Sequence, residues 1–104
     1  MNYRITGFGI EIMDKDIAKC NFEDAKQICE EIGEGWRLPK GEECFGIFSV
    51  KEFGCGNFHD SFYWVSDPVL TNDPRTRSIF RPDRFFVATR SKNDLYYVRL
   101  VRDI

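Results

Sequence analysis

The alternation of apolar and polar positions outlines this chain's elements before any other property is considered. Phe8, Ile10 and Ile12 stand two apart, with Gly9 and Glu11 between them. That period places them on one face of a strand within residues 3–13. Gly7 and Gly9 mark a bulge or a close backbone approach near its start, and Asp14-Lys15-Asp16 marks a turn. Phe22, Ala25, Ile28, Cys29 and Ile32 then recur at steps of three and four, with Glu23, Lys26, Glu30 and Glu31 on the opposite face. This is an amphipathic helix with a predicted span of 22–32. Asn21 caps it, Asp24 meets the free amides of its first turn, and Gly33 and Gly35 end it.

Gly35-Trp36-Arg37-Leu38-Pro39 follows, a junction built for burial in which Arg37 is expected to satisfy backbone carbonyls or a carboxylate. Cys44, Ile47 and Phe48 suggest a second helix, opened by Glu42 and Glu43 and stopped by Gly54. Residues 54–61 have a loop composition, and Phe62 to Ser66 reads as a dense aromatic strand. Residues 67–84 hold three of the four prolines and read as a long irregular excursion, a feature either functional or misassigned in so small a domain. Phe85 to Ala88 resumes a strand, Ser91 to Asp94 makes a hairpin-type turn, and Tyr96 to Val101 is the last strand.

The 104 residues are 42% apolar and include ten Phe, four Tyr and two Trp, enough to build a core within a single domain, 1–104, and to exclude a disordered chain. Residues 1–50 carry 6 basic and 10 acidic groups, and residues 51–104 carry 9 and 7. So mild an asymmetry argues against an extended nucleic-acid partner. No apolar run is long enough for a membrane span, and no export signal is read at the start. The expectation is therefore a cytoplasmic protein or a phage virion component, with Cys20, Cys29, Cys44 and Cys55 mostly free, small apolar core residues.

The landmarks also fall into a known order. A helix with Ala25 and Cys29 precedes Gly35-Trp36-Arg37-Leu38-Pro39 and Glu42-Glu43; Tyr63-Trp64-x-Ser66 and Tyr97-Val98-Arg99-x-Val101-Arg102 come later. Over residues 8–104 this resembles the Lcl C-terminal-like domain family, within the C-type lectin-like fold. The resemblance implies a compact α+β domain in which the terminal strands pair in an antiparallel sheet, two helices flank it, and a long loop region precedes the last hairpin. It also implies a bacterial or phage ligand-binding module.

Three departures from the family qualify what carries over. Members often hold a cysteine where Leu100 stands, so Cys29 lacks the partner the resemblance would give it. Lys40-Gly41 replaces a helix-capping threonine, so the second helix is expected to begin late or fray. Sugar-binding lectins of this fold hold calcium through a Glu-Pro-Asn or Gln-Pro-Asp triplet followed later by Trp-Asn-Asp. Here Arg81-Pro82-Asp83 and Thr71-Asn72-Asp73 come in reverse order and lack the first carboxylate or amide. Six to eight oxygen ligands cannot be assembled from them, and no calcium-dependent sugar site is expected.

Chemistry concentrates in Arg75, Arg77, Arg81, Arg84 and Arg90, interleaved with Phe80, Phe85 and Phe86. Guanidinium forks match phosphate and carboxylate and stack on aromatic rings, so a nucleotide-like anion suits them. The bland alternative is local pairing with Asp67, Asp73 and Asp83. Cys55, His59 and Asp60 contain a Cys-x3-His step, but neither tight zinc-type pairs nor an ordered catalytic triad follow from three neighbours. No metal, cofactor or catalytic residue is expected, and the chain is read as a non-enzyme. It is read as a binding module that recognises a protein or a small anionic ligand through residues 66–95, by means of Arg75, Arg77, Phe80, Arg81, Arg84, Phe86, Arg90 and Tyr97. A cytosolic sequestering protein for an anionic small molecule, or a self-associating virion component, are the alternatives.

Overall fold

A computed structural model describes residues 2–67, 72–84 and 86–104. The first predicted strand is a hairpin instead. Strands β1 (Tyr3–Ile5) and β2 (Ile10–Ile12) pair antiparallel around a 3-10 turn, Thr6–Phe8. Gly9 sits at φ 66°, where a side chain is disfavoured, and reverses the chain into β2. Strand β3 (Ala18–Cys20) follows, too short to carry a periodic signal of its own. Helix α1 spans Phe22–Ile32, and Asn21 accepts the Asp24 amide at 2.8 Å, as its cap chemistry predicts.

After the Trp36 junction a 3-10 turn, Gly41–Glu43, precedes α2 (Cys44–Glu52), so the second helix begins late. The Glu43 carboxylate supplies the return half of a capping box, accepting the Lys40 amide at 2.8 Å, while the Glu43 amide donates to the Lys40 carbonyl at 3.0 Å in place of a threonine side chain. Strand β4 is Tyr63–Trp64, β5 is Thr76–Arg81, β6 is Phe86–Ser91, β7 is Tyr96–Val98 and β8 is Val101–Asp103. Pro68 and Thr71 of the expected excursion, and the expected strand start at Phe85, lie outside the described residues.

Two sheets form, β1-β2-β8 and β3-β7-β4-β5-β6, and with α1 and α2 they make a compact α+β architecture. Three expectations are corrected. Six residues of the 67–84 excursion are β5, which pairs along its whole length with β6; its sequence, bracketed by Pro74 and Pro82, shows no apolar alternation. The turn at 91–94 does not close a hairpin, because β7 leaves β6 and lies between β3 and β4. The last strand is divided: β7 serves the larger sheet, and β8 pairs with β2 in the smaller one.

Side chains from the larger sheet feed two cores by parity. Trp64, Ile79, Ala88, Val98 and Leu100 pack with Phe22 and Ala25 of α1, whereas Tyr63, Val65 and Phe80 pack with Ile10, Ile12 and Ile47 of β2 and α2. Trp64 is fully buried and donates its indole N–H to the Cys20 carbonyl at 2.8 Å. Of the cysteines only Cys44 is fully buried; Cys55 is exposed, because the loop after α2 carries it outward, which corrects its reading as a core residue.

Arg99, 1% exposed, sits where the chain passes from one sheet to the other. Its guanidinium donates to the Asp16 carboxylate at 2.8 Å and to the carbonyls of Met13, Gly56 and Asn57. Phe58 lies 4.1 Å beneath it. Gly56 and Asn57 both have positive φ, 89° and 51°, which turns their carbonyls inward; glycine and asparagine bear that conformation best. Asp16 also accepts from the Tyr63 hydroxyl at 2.8 Å and pairs with His59 Nδ1 at 2.6 Å.

Replacing Arg99 by Met should cost about 3–5 kcal/mol, since it removes the cation beside Asp16 and the donors to three inward carbonyls. Urea unfolding reads this directly. A loss below about 1 kcal/mol would mean that the carbonyls find other donors and Arg99 is not the tie between the sheets.

Candidate functional site

Parity in the β5–β6 ladder decides which of the expected residues meet. Arg77 is opposite Arg90, Ile79 opposite Ala88, and Arg81 opposite Phe86, so Arg77, Arg81, Phe86 and Arg90 share the α1 face. Phe80 points the other way and is fully buried among Ile47, Tyr63 and Val101; it is a core residue, not a contact residue. Tyr97 also belongs to the far side, stacked on His59 with ring centroids 4.1 Å apart. Its neighbour Tyr96 takes the α1 face instead, as a one-residue shift along a strand requires.

An aromatic row runs along this face. Phe22, Trp64, Tyr96, Phe62 and Phe86 follow one another edge to face, with centroid spacings of 5.4, 5.0, 6.0 and 6.1 Å. Arg77 lies over Phe22 at 5.0 Å, and Arg81 over Phe62 at 5.6 Å. Phe22, Phe62 and Tyr96 could not be assigned to this row from sequence, because each comes from a different element.

The arginines divide by their partners. Arg75 is held by Asp73 at 2.9 Å, and Arg81 by Asp83 at 3.0 Å and by the Asp60 carbonyl at 2.8 Å. The Arg75 fork holds the Asp73 carboxyl down to about 2, and the Arg81 fork lowers that of Asp83. Arg84 lies 3.6 Å from Asp83. By contrast, Arg77 donates to the Thr76 carbonyl and Arg90 to the Thr89 carbonyl, and neither has a carboxylate within ion-pair distance among the described residues. Local pairing therefore accounts for Arg75, Arg81 and Arg84 but not for Arg77 and Arg90.

Arg77 opens into a groove of about 400 Å³ between α1, β5 and the Trp36 junction, lined also by Phe22, Lys26, Cys29, Leu38 and Ser66. Its size falls within the range of small-ligand sites. Lys26 reaches over Phe22 at 5.9 Å. Glu30 is the one acidic side chain on the lining among the described residues, and Arg37 borders it. The Arg37 fork is spent elsewhere: it donates to both Glu43 oxygens at 2.7 and 2.8 Å and to Asp103 at 2.7 Å. The Arg37 backbone pairs with Val101, and Ser66 donates its amide to the Pro39 carbonyl at 2.8 Å. The groove wall is thereby stapled to both sheets.

Cys55, His59 and Asp60, neighbours in sequence, each contact a different group. His59 pairs with Asp16, Asp60 with Lys51 at 3.0 Å, and the Cys55 thiol donates to the Phe53 carbonyl. Among the described residues no three His, Cys, Asp or Glu side chains gather as a metal site, and no helix is long and apolar enough to cross a membrane. No protein-family model matches the chain, and no curated protein does either.

The Arg37 staple carries a pH signature. Burial raises the Glu43 carboxyl, but the Arg37 fork and the Lys40 amide more than offset it and hold the group below its ordinary 4.5; Arg37 likewise lowers Asp103 below 3.8. Carboxyls lowered on folding stabilise the native state above their unfolded values, and that stability is lost as pH falls through the folded ones. Stability should therefore decline below about pH 4.5. Glu43→Gln should lower stability at neutral pH and flatten the acid limb in pH-dependent thermal melts; an unchanged acid limb would remove Glu43 from the acid response.

Proposed function

We propose that this protein is a non-enzymatic binding module whose groove between α1 and β5 takes a small ligand with an apolar or aromatic body and an acidic group. The observation that carries this reading is Arg77: it stands over Phe22 at the groove wall with no carboxylate partner among the described residues. The apolar side chains Phe22 and Leu38 receive the body of the ligand, while Arg77 and Lys26 receive its charge. A low-polarity floor beside a charged fork strengthens that contact relative to open solvent. The recognition surface is thereby narrowed from residues 66–95 at large to one groove, completed by α1 and the Trp36 junction.

The resemblance to the Lcl C-terminal-like family and the C-type lectin-like fold is part of this proposal. In its support, the N-terminal β2 pairs with the C-terminal β8, and two helices accompany the sheets. A protein partner is the second reading. It is favoured by Phe86, which is 50% exposed at the end of the aromatic row and opposite Arg81, since exposed aromatics beside arginine are common at interface hot spots.

A thermal-shift panel of aromatic and aliphatic acids tests the groove. Ligand at about 100 times its dissociation constant raises stability by about 2.7 kcal/mol. Arg77→Ala and Lys26→Ala should each weaken binding about tenfold, the effect of losing about 1.4 kcal/mol. Arg84→Ala, outside the groove, should leave binding unchanged. Arg81→Ala should lower the melting temperature itself, because it releases Asp83 and the Asp60 carbonyl. Equal losses from Arg77→Ala and Arg84→Ala would indicate a diffuse cationic surface instead of a groove.

A further inference from the structure

We propose, resting on the groove reading, that Arg77 and Arg90 form a clamp for a phosphomonoester dianion at the groove mouth, so that the ligand class is a small aromatic or otherwise planar apolar phosphomonoester. The two residues are direct cross-strand partners in the β5–β6 register and project from the same face. Side chains so placed start about 4.5–5.5 Å apart at Cβ, and like charges in that position destabilise a sheet. The rest of the ladder is well matched, with Ile79 against Ala88 and Phe80 against Val87. The one unfavourable pair thus lies beside the groove.

Neither guanidinium has a carboxylate partner among the described residues. Arg77 donates to the Thr76 carbonyl at 3.2 Å and Arg90 to the Thr89 carbonyl at 2.7 Å. Each fork carries five N–H donors, so most of both remain free for an anion. Asp94, in the turn after β6, accepts the Tyr96 hydroxyl at 3.3 Å. Arg75, just before the strand, is occupied by Asp73, and Arg81, at its other end, by Asp83. Pairing has therefore been withheld from the two arginines that face each other.

Charge selects phosphate over carboxylate. Lys26, Arg77 and Arg90 against Glu30 leave the mouth two positive charges in surplus, Arg37 being compensated by Glu43 and Asp103. A phosphomonoester carries about −1.5 to −2 at neutral pH and three strong acceptor oxygens. It can accept from both forks at once, whereas a carboxylate satisfies one fork bidentately and leaves the other uncompensated. Phe22, already flanked by Arg77 and Lys26, supplies the apolar contact for the ligand body.

Isothermal titration of the full chain with phenyl phosphate, benzoate and inorganic phosphate tests this. Phenyl phosphate should bind at least about tenfold tighter than benzoate at about pH 8, and the preference should shrink at about pH 5, where the second phosphate proton, with pKa near 6, is on. Arg90→Ala should reduce phenyl phosphate to the benzoate level and leave benzoate binding unchanged. Equal affinity for phenyl phosphate and benzoate, or an Arg90→Ala effect of the same size on both, would overturn the clamp while leaving the groove reading intact. Inorganic phosphate binding as tightly as phenyl phosphate would overturn the assigned class by removing the apolar groove from recognition. Binding of none of the three would overturn both readings. Arg90→Lys, which keeps the charge but not the fork, should retain only part of the preference.

Discussion

The buried guanidinium of Arg99 is the constraint on which the rest of the molecule depends. A desolvated charge is tolerated only where it is paired and its donors are used. Here this requires the turn after β2 to bring Asp16 and the Met13 carbonyl, and the loop after α2 to bring the carbonyls of Gly56 and Asn57, to one point. Those segments are otherwise short and irregular. Meeting the needs of one side chain joins the N-terminal hairpin, the α2 loop and the final strand pair into a single body. The Asp16 carboxylate also receives the Tyr63 hydroxyl, which burial makes harder to ionise, so the center of the larger sheet is tied to the same point.

His59, the single histidine, belongs to the same network. Its Nδ1 is committed to Asp16, its ring lies flat on Tyr97, and the tie it joins is structural. Asp16 at its centre accepts from Arg99 and Tyr63 and pairs with His59. The groove on the opposite face of the larger sheet has a satisfied staple at Arg37 and, beside it, two arginines without acidic partners among the described residues. Separation of the two by the sheet leaves the groove free to carry charge without drawing on the tie that holds the fold together.

Much of the architecture was legible along the chain. The α1 span, its Asn21 cap and its glycine stop follow from local backbone chemistry, which acts within a few residues. Arg37 as a satisfier of nearby acceptors was legible for the same reason, although its partner Asp103 is remote in sequence. Strand β5 was hidden because Thr76-Arg77-Ser78-Ile79-Phe80-Arg81 shows no apolar alternation and lies between Pro74 and Pro82, and only pairing with β6 establishes it. The separation of Tyr96 from Tyr97, and of Phe80 from the arginines, depends on the register of β7 and β5 against their neighbours, which no local signal specifies.

By itself the sequence determined the helices, the aromatic richness of the core and the concentration of arginines between residues 75 and 90, because propensity, capping and composition are properties of neighbouring residues. Only the tertiary structure decided which arginines are spent and which are open. Ion pairing at Asp73 and Asp83 is local, but the opposition of Arg77 to Arg90 is set by strand register, and the groove exists only where α1 crosses the sheet beside the Trp36 junction. A site made of side chains from several elements is a consequence of packing, and packing is decided by the whole chain at once.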